Sequence, residues 1–202
     1  MRTPSIHRSL LTFSLVLPLT MHAQQRPAQE EAGTSLSIEL DPAPFLLNGY
    51  SFSLRYANKA LPHWSVMASV YAADFPDRML SGTNRDAGWS DLHFAPSQAL
   101  FVDYSLRHDG RGFFFGPSVF LYDNRVTHEG SGTDLAFRSI YPNVRIGYTW
   151  FPFKKADLYV TPWLNLGSEI AMGPTQINDG PTYEVAGFKY IAAVHLGYRV
   201  SW

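Results

Sequence analysis

The sequence YIAAVHLGYRVSW, residues 190–202, places an apolar side chain at every second position up to the last residue. One parity is apolar throughout: Tyr190, Ala192, Val194, Leu196, Tyr198, Val200 and Trp202. The opposite parity carries the polar residues His195, Arg199 and Ser201. A side-chain period of two residues predicts a β-strand with one apolar face and one mostly polar face.

The same alternation recurs upstream and predicts eight antiparallel strands. We place them at residues 34–44, 50–57, 63–73, 97–107, 113–126, 135–150, 158–170 and 182–202. Asn48-Gly49 favours a tight hairpin between the first two strands, because both residues tolerate positive φ. Later connections alternate between short turns and longer loops, the longer ones at residues 75–96, 127–134 and 171–181. Aromatic residues occupy both parities of strand 113–126, so the sequence does not decide which of its faces meets lipid.

The last strand, with its apolar Tyr198, Val200 and terminal Trp202, resembles the C-terminal strand of bacterial outer-membrane β-barrels. Residues 34–202 as a whole resemble the small eight-stranded barrels of the OmpA and OmpX type. The fold that we predict is therefore all-β, an antiparallel up-and-down transmembrane β-barrel in the bacterial outer membrane. The resemblance implies contact with outer-membrane lipid and lipopolysaccharide. It also implies that Tyr198, Val200 and Trp202 are a signal for the barrel assembly machinery.

The N-terminus predicts export. Residues 1–23 contain basic residues, then an apolar stretch at residues 10–20, then Ala23 at a possible cleavage site, as in a secretory signal peptide. Residues 24–33 are polar and predict a flexible lead-in to the barrel of residues 34–202. Short turns and both termini then belong to the periplasmic side, and the longer loops to the external side.

Composition narrows the function. The formal net charge is −1, which gives no basic stripe for nucleic acid, and the absence of cysteine excludes disulfides and thiolate metal sites. No His, Asp and Glu set has metal-ligand spacing, so we expect no metal or cofactor, and we expect a monomer. A water-soluble eight-stranded calyx would use the same alternation with its faces inverted. The length of the strands and the terminal aromatic residue favour the membrane barrel over the calyx.

Charged residues on the predicted strands fall mainly on the parity opposite to the apolar set. They are Glu39, Arg55, Asp103, Arg107, Arg145, Glu169, Lys189 and Arg199. His195 shares that parity and is interpreted as a hydrogen-bonded interior residue. The mixed signs predict a network of ion pairs inside the barrel, because an isolated buried charge is costly and a paired one is tolerable.

Two groups of residues could carry chemistry at the external rim. Ser90, Asp91 and His93 form the first group, and His128 with Glu129 forms the second. A histidine beside a serine or an acid can support hydrolysis or acyl transfer if the side chains converge in space. The main prediction is a non-enzymatic barrel of structural or interaction type, since side chains fill an eight-stranded interior. The alternatives are a lipid A-modifying enzyme that uses these residues and a narrow channel.

Overall fold

The computed structural model describes residues 33–153, 156–177 and 180–202. The predicted signal peptide, residues 1–23, and the lead-in up to residue 32 lie outside the described residues. No helix in the described part of the chain is long and apolar enough to cross a membrane.

Strands make up most of the described chain. They are β1 Ser35–Leu40, β2 Tyr50–Ala57, β3 Trp64–Phe75, β4 Trp89–Ser105, β5 Gly112–His128, β6 Thr133–Thr149, β7 Leu158–Gly167, β8 Ile170–Ala171 and β9 Lys189–Ser201. Three short helical segments lie in the connections: α1 Ala43–Leu46, a 3-10 turn Asp77–Met79 and α2 Gly82–Asp86.

The sheet closes on itself. Each long strand pairs antiparallel with its neighbours in the order β1 to β7, and β9 pairs with both β7 and β1. The two-residue strand β8 continues the line of β7 against β6 after a break, so the ring has eight strands around its circumference. This closure confirms the predicted eight-stranded antiparallel barrel.

Paired residues can be followed once around the ring. The path starts at Lys189 and passes through Gly167, Asn143, Ser118, Phe101, Met67, Arg55 and Ser37. It returns to β9 at Arg199, ten residues along from Lys189. A stagger of this kind requires strands tilted against the barrel axis, by roughly 35–45° in closed barrels.

The first predicted strand is too long. β1 ends at Leu40, and residues 42–46 turn into α1, with proline at the start of the helix. Pro42 and Pro44 cannot donate to a strand ladder, whereas proline suits the first helical turn. The β1–β2 hairpin is therefore short, and the barrel wall is lower on this side.

The predicted loop at residues 75–96 is also wrong. β4 begins at Trp89, and its register shifts twice, between Ser90 and His93 and between Ala95 and Gln98. Each bulge inserts a residue and breaks the two-residue alternation, so the strand has no visible periodic pattern there. The predicted loop 127–134 is likewise wrong, because β5 and β6 continue to a tight turn at residues 129–132. The last strand begins at Lys189, later than predicted.

The structure assigns the two faces of β5. Phe114, Ser118 and Phe120 are buried inside the barrel, whereas Phe113 and Phe115 face outward and are exposed. The barrel interior contains an aromatic core: Met67, Phe94, Ala99, Phe101, Phe114, Phe120, Tyr122, Tyr141 and Trp163. A second core closes the end opposite to the termini, and we call it the external cap: Leu80, Trp89, Val126, Leu135, Phe137 and Tyr183.

Candidate functional site

The outward face of the barrel is apolar, and the inward face holds buried polar side chains. Phe52, Leu100 and Ile146 expose 44%, 47% and 50% of their surface on the outside, whereas Glu39 and Arg145 are fully buried inside. Outer-membrane barrels alternate apolar-out and polar-in in this way. The arrangement excludes the water-soluble calyx, whose apolar face would point inward. It also confirms the predicted location in the bacterial outer membrane.

The apolar belt has a clear upper edge on β5 and β6. Leu121 is the last exposed apolar residue of β5, and the next outward positions are Asp123 and Arg125. Arg138 on β6 donates from Nε to Asp123 Oδ1 at 2.6 Å. A charged band therefore ends the belt, and β4, β5 and β6 project beyond it to carry the external cap.

Glu39 joins four strands at the closure of the barrel. Its carboxylate accepts hydrogen bonds from Arg55 Nε at 2.5 Å and from the Tyr159 hydroxyl at 2.7 Å. The other oxygen lies 2.7 Å from His195 Nδ1. The four residues come from β1, β2, β7 and β9. One buried carboxylate therefore links β1 and β9, which form the closing seam of the barrel, to their neighbours β2 and β7.

Asp103 extends this network across the lumen. Its Oδ2 accepts from Arg55 Nη1 at 2.6 Å and from Arg145 Nη1 at 3.3 Å. Arg145 is completely buried, and its guanidinium lies against three rings: Phe101 at 4.5 Å, Trp163 at 4.9 Å and Phe114 at 5.1 Å. Aromatic faces attract a desolvated cation, which offsets part of the loss of hydration. The centre of the barrel is thus filled by a paired cation and the rings around it.

A second group of charges lies nearer to the external cap. Glu169 accepts hydrogen bonds from Lys189 Nζ and from the Ser139 hydroxyl. The Lys189 ammonium lies 4.2 Å from the centre of the Tyr122 ring and 4.8 Å from that of Tyr141. Glu169 and Lys189 form their own pair, and no ion pair among the described residues joins them to Glu39 or Asp103.

Two of the predicted lumen residues lie at the end that carries the termini. Arg107 lies beyond β4 in the turn, where it is exposed and donates to the Asp109 carboxylate at 2.9 and 3.2 Å. Burial alone would raise the pKa of Asp109, but hydrogen bonds from Arg107 and from the Arg111 N–H hold it below its usual value. Arg199 donates to the backbone oxygen of Asp109 at 2.7 Å. Arg107 therefore belongs to a surface turn, and Arg199 to the mouth of the barrel.

The mouth at this end is a cavity of about 470 Å³. Its lining includes His63, His108, Arg111, Phe151 and Arg199. The guanidinium groups of Arg111 and Arg199 lie 4.4 Å and 4.5 Å from the centre of the Phe151 ring. The ring and the two cations therefore lie in the mouth, between the end of the barrel that carries the termini and the Glu39 and Asp103 network.

The first catalytic group does not assemble. His93 bonds through Nδ1 to Asp74 Oδ1 at 2.5 Å, on the outer surface at the upper edge of the belt. The Asp91 N–H donates to Asp77 Oδ1 at 2.9 Å, and Ser90 is buried. No hydrogen bond among the described residues joins Ser90 or Asp91 to His93.

His128 and Glu129, the second group, lie in the turn between β5 and β6. His128 Nε2 is 3.1 Å from the Ala87 backbone oxygen, so this nitrogen is the donor. Nδ1 lies 3.0 Å from the Ser131 hydroxyl oxygen. The Glu129 N–H donates to the Gly88 oxygen at 2.9 Å. These bonds attach the turn to the end of α2, and Glu129 has no ion-pair partner in the described part of the chain.

Asp74 and Asn48 are the residues near His93 that sequence reasoning missed. Asn48 Nδ2 donates to Asp74 Oδ2 at 3.3 Å, on the side opposite to His93. Asp74 follows directly after the predicted end of strand 63–73, where an acidic residue looks like the start of a loop. The pairing of Asp74 with His93 across β3 and β4 depends on the register shift between Tyr71 and Ala73 and has no signal in local sequence.

The described residues contain no group of three or more His, Cys, Asp or Glu side chains that could hold a metal ion. At the closing seam, Tyr198, Val200 and Trp202 face outward and expose 51%, 52% and 69% of their surface. The Trp202 N–H donates to the Thr34 oxygen at 2.9 Å, so pairing continues to the last residue.

No protein-family model matches the sequence, and no curated protein matches it. Solved structures do match. One is neisserial surface protein A (NspA), with 11% identity and a TM-score of 0.41, covering 84% of this chain and 94% of that chain. Another is a major outer membrane protein from Thermus thermophilus, with 13% identity and a TM-score of 0.43, covering 83% of this chain and 99% of that chain. At these low values the fold and location rest on the strand pairing and the apolar exterior described above.

Proposed function

We propose that the protein is a non-enzymatic outer-membrane barrel of structural or interaction type. Its body is a sealed membrane-spanning plug, and its external end presents an ordered surface to a partner. The observation that carries this proposal is the filled interior, where buried side chains occupy the lumen from the mouth to the cap.

The filling has successive layers along the barrel. The Glu39 and Asp103 network crosses the lumen first, with both carboxylates at 0–1% exposure. The aromatic core follows and encloses the Arg145 guanidinium. The pair of Glu169 and Lys189 and then the external cap lie beyond it. Side chains fill eight-stranded barrels in the same manner, so bulk diffusion through the axis is not expected.

The external cap supports an interaction role because hydrogen bonds hold its connections together in a defined arrangement. The Asn84 side chain on α2 donates to the Glu184 backbone oxygen at 2.9 Å and accepts from the Glu184 N–H at 2.8 Å. These bonds join the β3–β4 connection to the β7–β9 connection over the apolar core of the cap. An ordered platform of this kind suits recognition of a partner outside the cell.

The outer surface of the barrel supports two kinds of membrane partner, lipid and the assembly machinery. The charged band with Arg125, Asp123 and Arg138 lies where lipid headgroups meet the belt, and it suits contact with outer-membrane lipid and lipopolysaccharide. The outward residues Tyr198, Val200 and Trp202 support recognition by the barrel assembly machinery. Replacement of Trp202 by Ala is expected to lower the amount of heat-modifiable barrel in outer membranes. An unchanged amount would contradict this assignment.

Conductance and lipid analysis test the proposal together. In planar bilayers the purified protein is expected to give no single-channel steps, with or without the Trp89→Ala change in the cap, since the seal lies deeper. Lipid A from cells that express the protein is expected to have the same mass spectrum as lipid A from cells that lack it.

Two outcomes would contradict the proposal. Single-channel steps from the unchanged protein would favour the narrow channel. A change in lipid A that disappears in the His93→Ala variant, but persists in His128→Ala, would favour a lipid-modifying enzyme built on the pair of His93 and Asp74. The His128 variant is the matched control because its imidazole holds a turn in the cap.

A further inference from the structure

One side of the barrel wall is incomplete in the half next to the external cap. β1 ends at Leu40, which pairs with Leu196 of β9. β9 continues upward to Lys189, but there it pairs only with β7. We call the space beside residues 189–195 of β9, beyond the end of β1, the lateral notch.

The backbone of β9 has unpaired groups at this notch. The Trp202 N–H bonds towards β1, at Thr34, whereas the Arg199 N–H bonds towards β7, at Asp157. Because these directions alternate along an antiparallel strand, the N–H and C=O groups of Tyr190, Ala192 and Val194 point towards the missing part of β1. No strand in the described part of the chain lies there. Unsatisfied backbone groups are costly in lipid, so the notch requires an occupant.

The notch lies in the apolar belt and reaches the lumen. Every outward residue of β9 from Tyr190 to Trp202 is apolar. Ile191 and Ala193 face the lumen but are only half-buried, whereas His195, further down the same face, is 3% exposed. Interior side chains are therefore partly accessible from the side at the height of the notch and buried below it.

The connection that follows β1 also carries exposed apolar side chains. α1 has no buried residue, and its Phe45 and Leu46 expose 52% and 86% of their surface. An extended apolar chain could therefore lie along β9 beyond the end of β1. The free N–H groups of β9 would meet carbonyl oxygens near the headgroup end of such a molecule.

We propose that the lateral notch binds an acyl chain of a lipid from the leaflet next to the external cap. The acyl chain packs against the alternating residues of β9 beyond the end of β1 and contacts Ile191 and Ala193 through the gap in the wall. The ester or amide carbonyls of the lipid accept hydrogen bonds from the free backbone N–H groups near Tyr190. This site is independent of the external partner and of the axial seal.

A second copy of this chain does not fit the notch. Two copies inserted in the same membrane with the same orientation both run β9 in the same direction. Because barrel strands are tilted by roughly 35–45°, rotation about the membrane normal makes the two edges cross instead of aligning. A lipid needs no such alignment and is present at the correct depth.

Photo-crosslinking tests the proposal directly. The full barrel is placed in phosphatidylcholine vesicles that contain a phospholipid with a diazirine on one acyl chain, and the labelled residues are located by mass spectrometry. The expected result is labelling of lumen-facing Ile191 and Ala193, in addition to general labelling of belt residues such as Leu100. Labelling of the belt with none at Ile191 and Ala193 would overturn the proposal.

A pair of matched variants adds a second measurement. Ala192→Trp places a bulky side chain at the entrance and is expected to reduce labelling of Ile191 and Ala193 severalfold. Ala68→Trp is the control, because Ala68 also faces outward but lies on a strand paired on both sides. Heat-modifiable gel mobility verifies that both variants fold. Unchanged labelling in Ala192→Trp, or a crosslink to another protein in native membranes in place of lipid, would contradict the lipid site.

Discussion

The two sides of the barrel wall are built differently. On one side, β4, β5 and β6 pair along almost their whole length and extend beyond the apolar belt. On the other side, β1 stops at Leu40, so the upper part of β9 pairs with β7 and with no second strand among the described residues. Backbone pairing is thus plentiful on the long side and sparse on the short side, where buried side chains have to contribute more.

Glu39 lies where this difference matters. It bonds to residues of β2, β7 and β9, which surround the short strand β1. The long side has no corresponding carboxylate between β5 and β6, where 17 residues of β5 form a continuous hairpin with β6. The closing seam therefore depends on a buried carboxylate as well as on backbone pairing, whereas the β5–β6 hairpin depends on backbone hydrogen bonds.

The largest effect is expected for Glu39→Gln. The amide keeps the shape of the side chain but removes the negative charge beside Arg55, and breaking a buried ion pair costs about 3–5 kcal/mol. The free energy of unfolding, measured by urea titration in lipid vesicles, is expected to fall by that amount. Glu129→Gln, at the exposed turn of the long side, is the control and is expected to change it by less than about 0.5 kcal/mol. Equal effects at the two positions would remove the distinction between the sides.

A smaller effect is expected for Gly49→Ala at the short hairpin. A Cβ atom at Gly49 would lie 1.8 Å from the Ala72 backbone oxygen, so the hairpin must shift away from β3. Overpacking of this kind costs about 1–3 kcal/mol. Gly82→Ala in α2 is the control, since nothing lies within 4 Å of its Cβ. Calorimetric melting would contradict the expectation if Gly49→Ala were as stable as Gly82→Ala.

The smallest effect concerns the cap and is confined to high pH. Burial, with a contribution from the charge of Glu169, raises the pKa of Tyr183 to about 12. The phenol of an unfolded chain ionises near pH 10, so the folded cap loses stability as pH rises from about 10 to about 12. Proteolysis of the cap should accelerate over that range and less so in Tyr183→Phe. The difference in phenolate absorbance between the two proteins should have its midpoint near pH 12, and a midpoint near 10 would contradict this.

Sequence reasoning worked where alternation is unbroken. β2 has the predicted bounds, Tyr50–Ala57, because every second residue is apolar and its partners are in simple register. It failed at β4, where two bulges hide the period, and at β1, where two prolines convert the strand end into a helix. Such features depend on tertiary pairing, which a two-residue pattern does not contain.

The polar interior could also be predicted only in part from the alternation of the sequence. The inward parity of Glu39, Asp103 and Arg145 follows from alternation, but their partners do not, since Glu39 and His195 are 156 positions apart. Arg107 satisfies the parity rule and yet lies in a turn, because the strand ends before it. Asp74 and His93 come together through the register that the single shift in the β3–β4 ladder creates.

The central claim is an apolar exterior around a filled polar lumen, and spin labels along β5 test it most directly. Single cysteines can be introduced without background, because the chain has none. Labels at Pro117, Val119 and Leu121 are expected to collide with oxygen in the lipid, and labels at Asp123 and Arg125 with a water-soluble nickel reagent. A label at Ser118 should meet neither. Nickel accessibility at Val119, or oxygen accessibility at Ser118 above that at Val119, would contradict the claim.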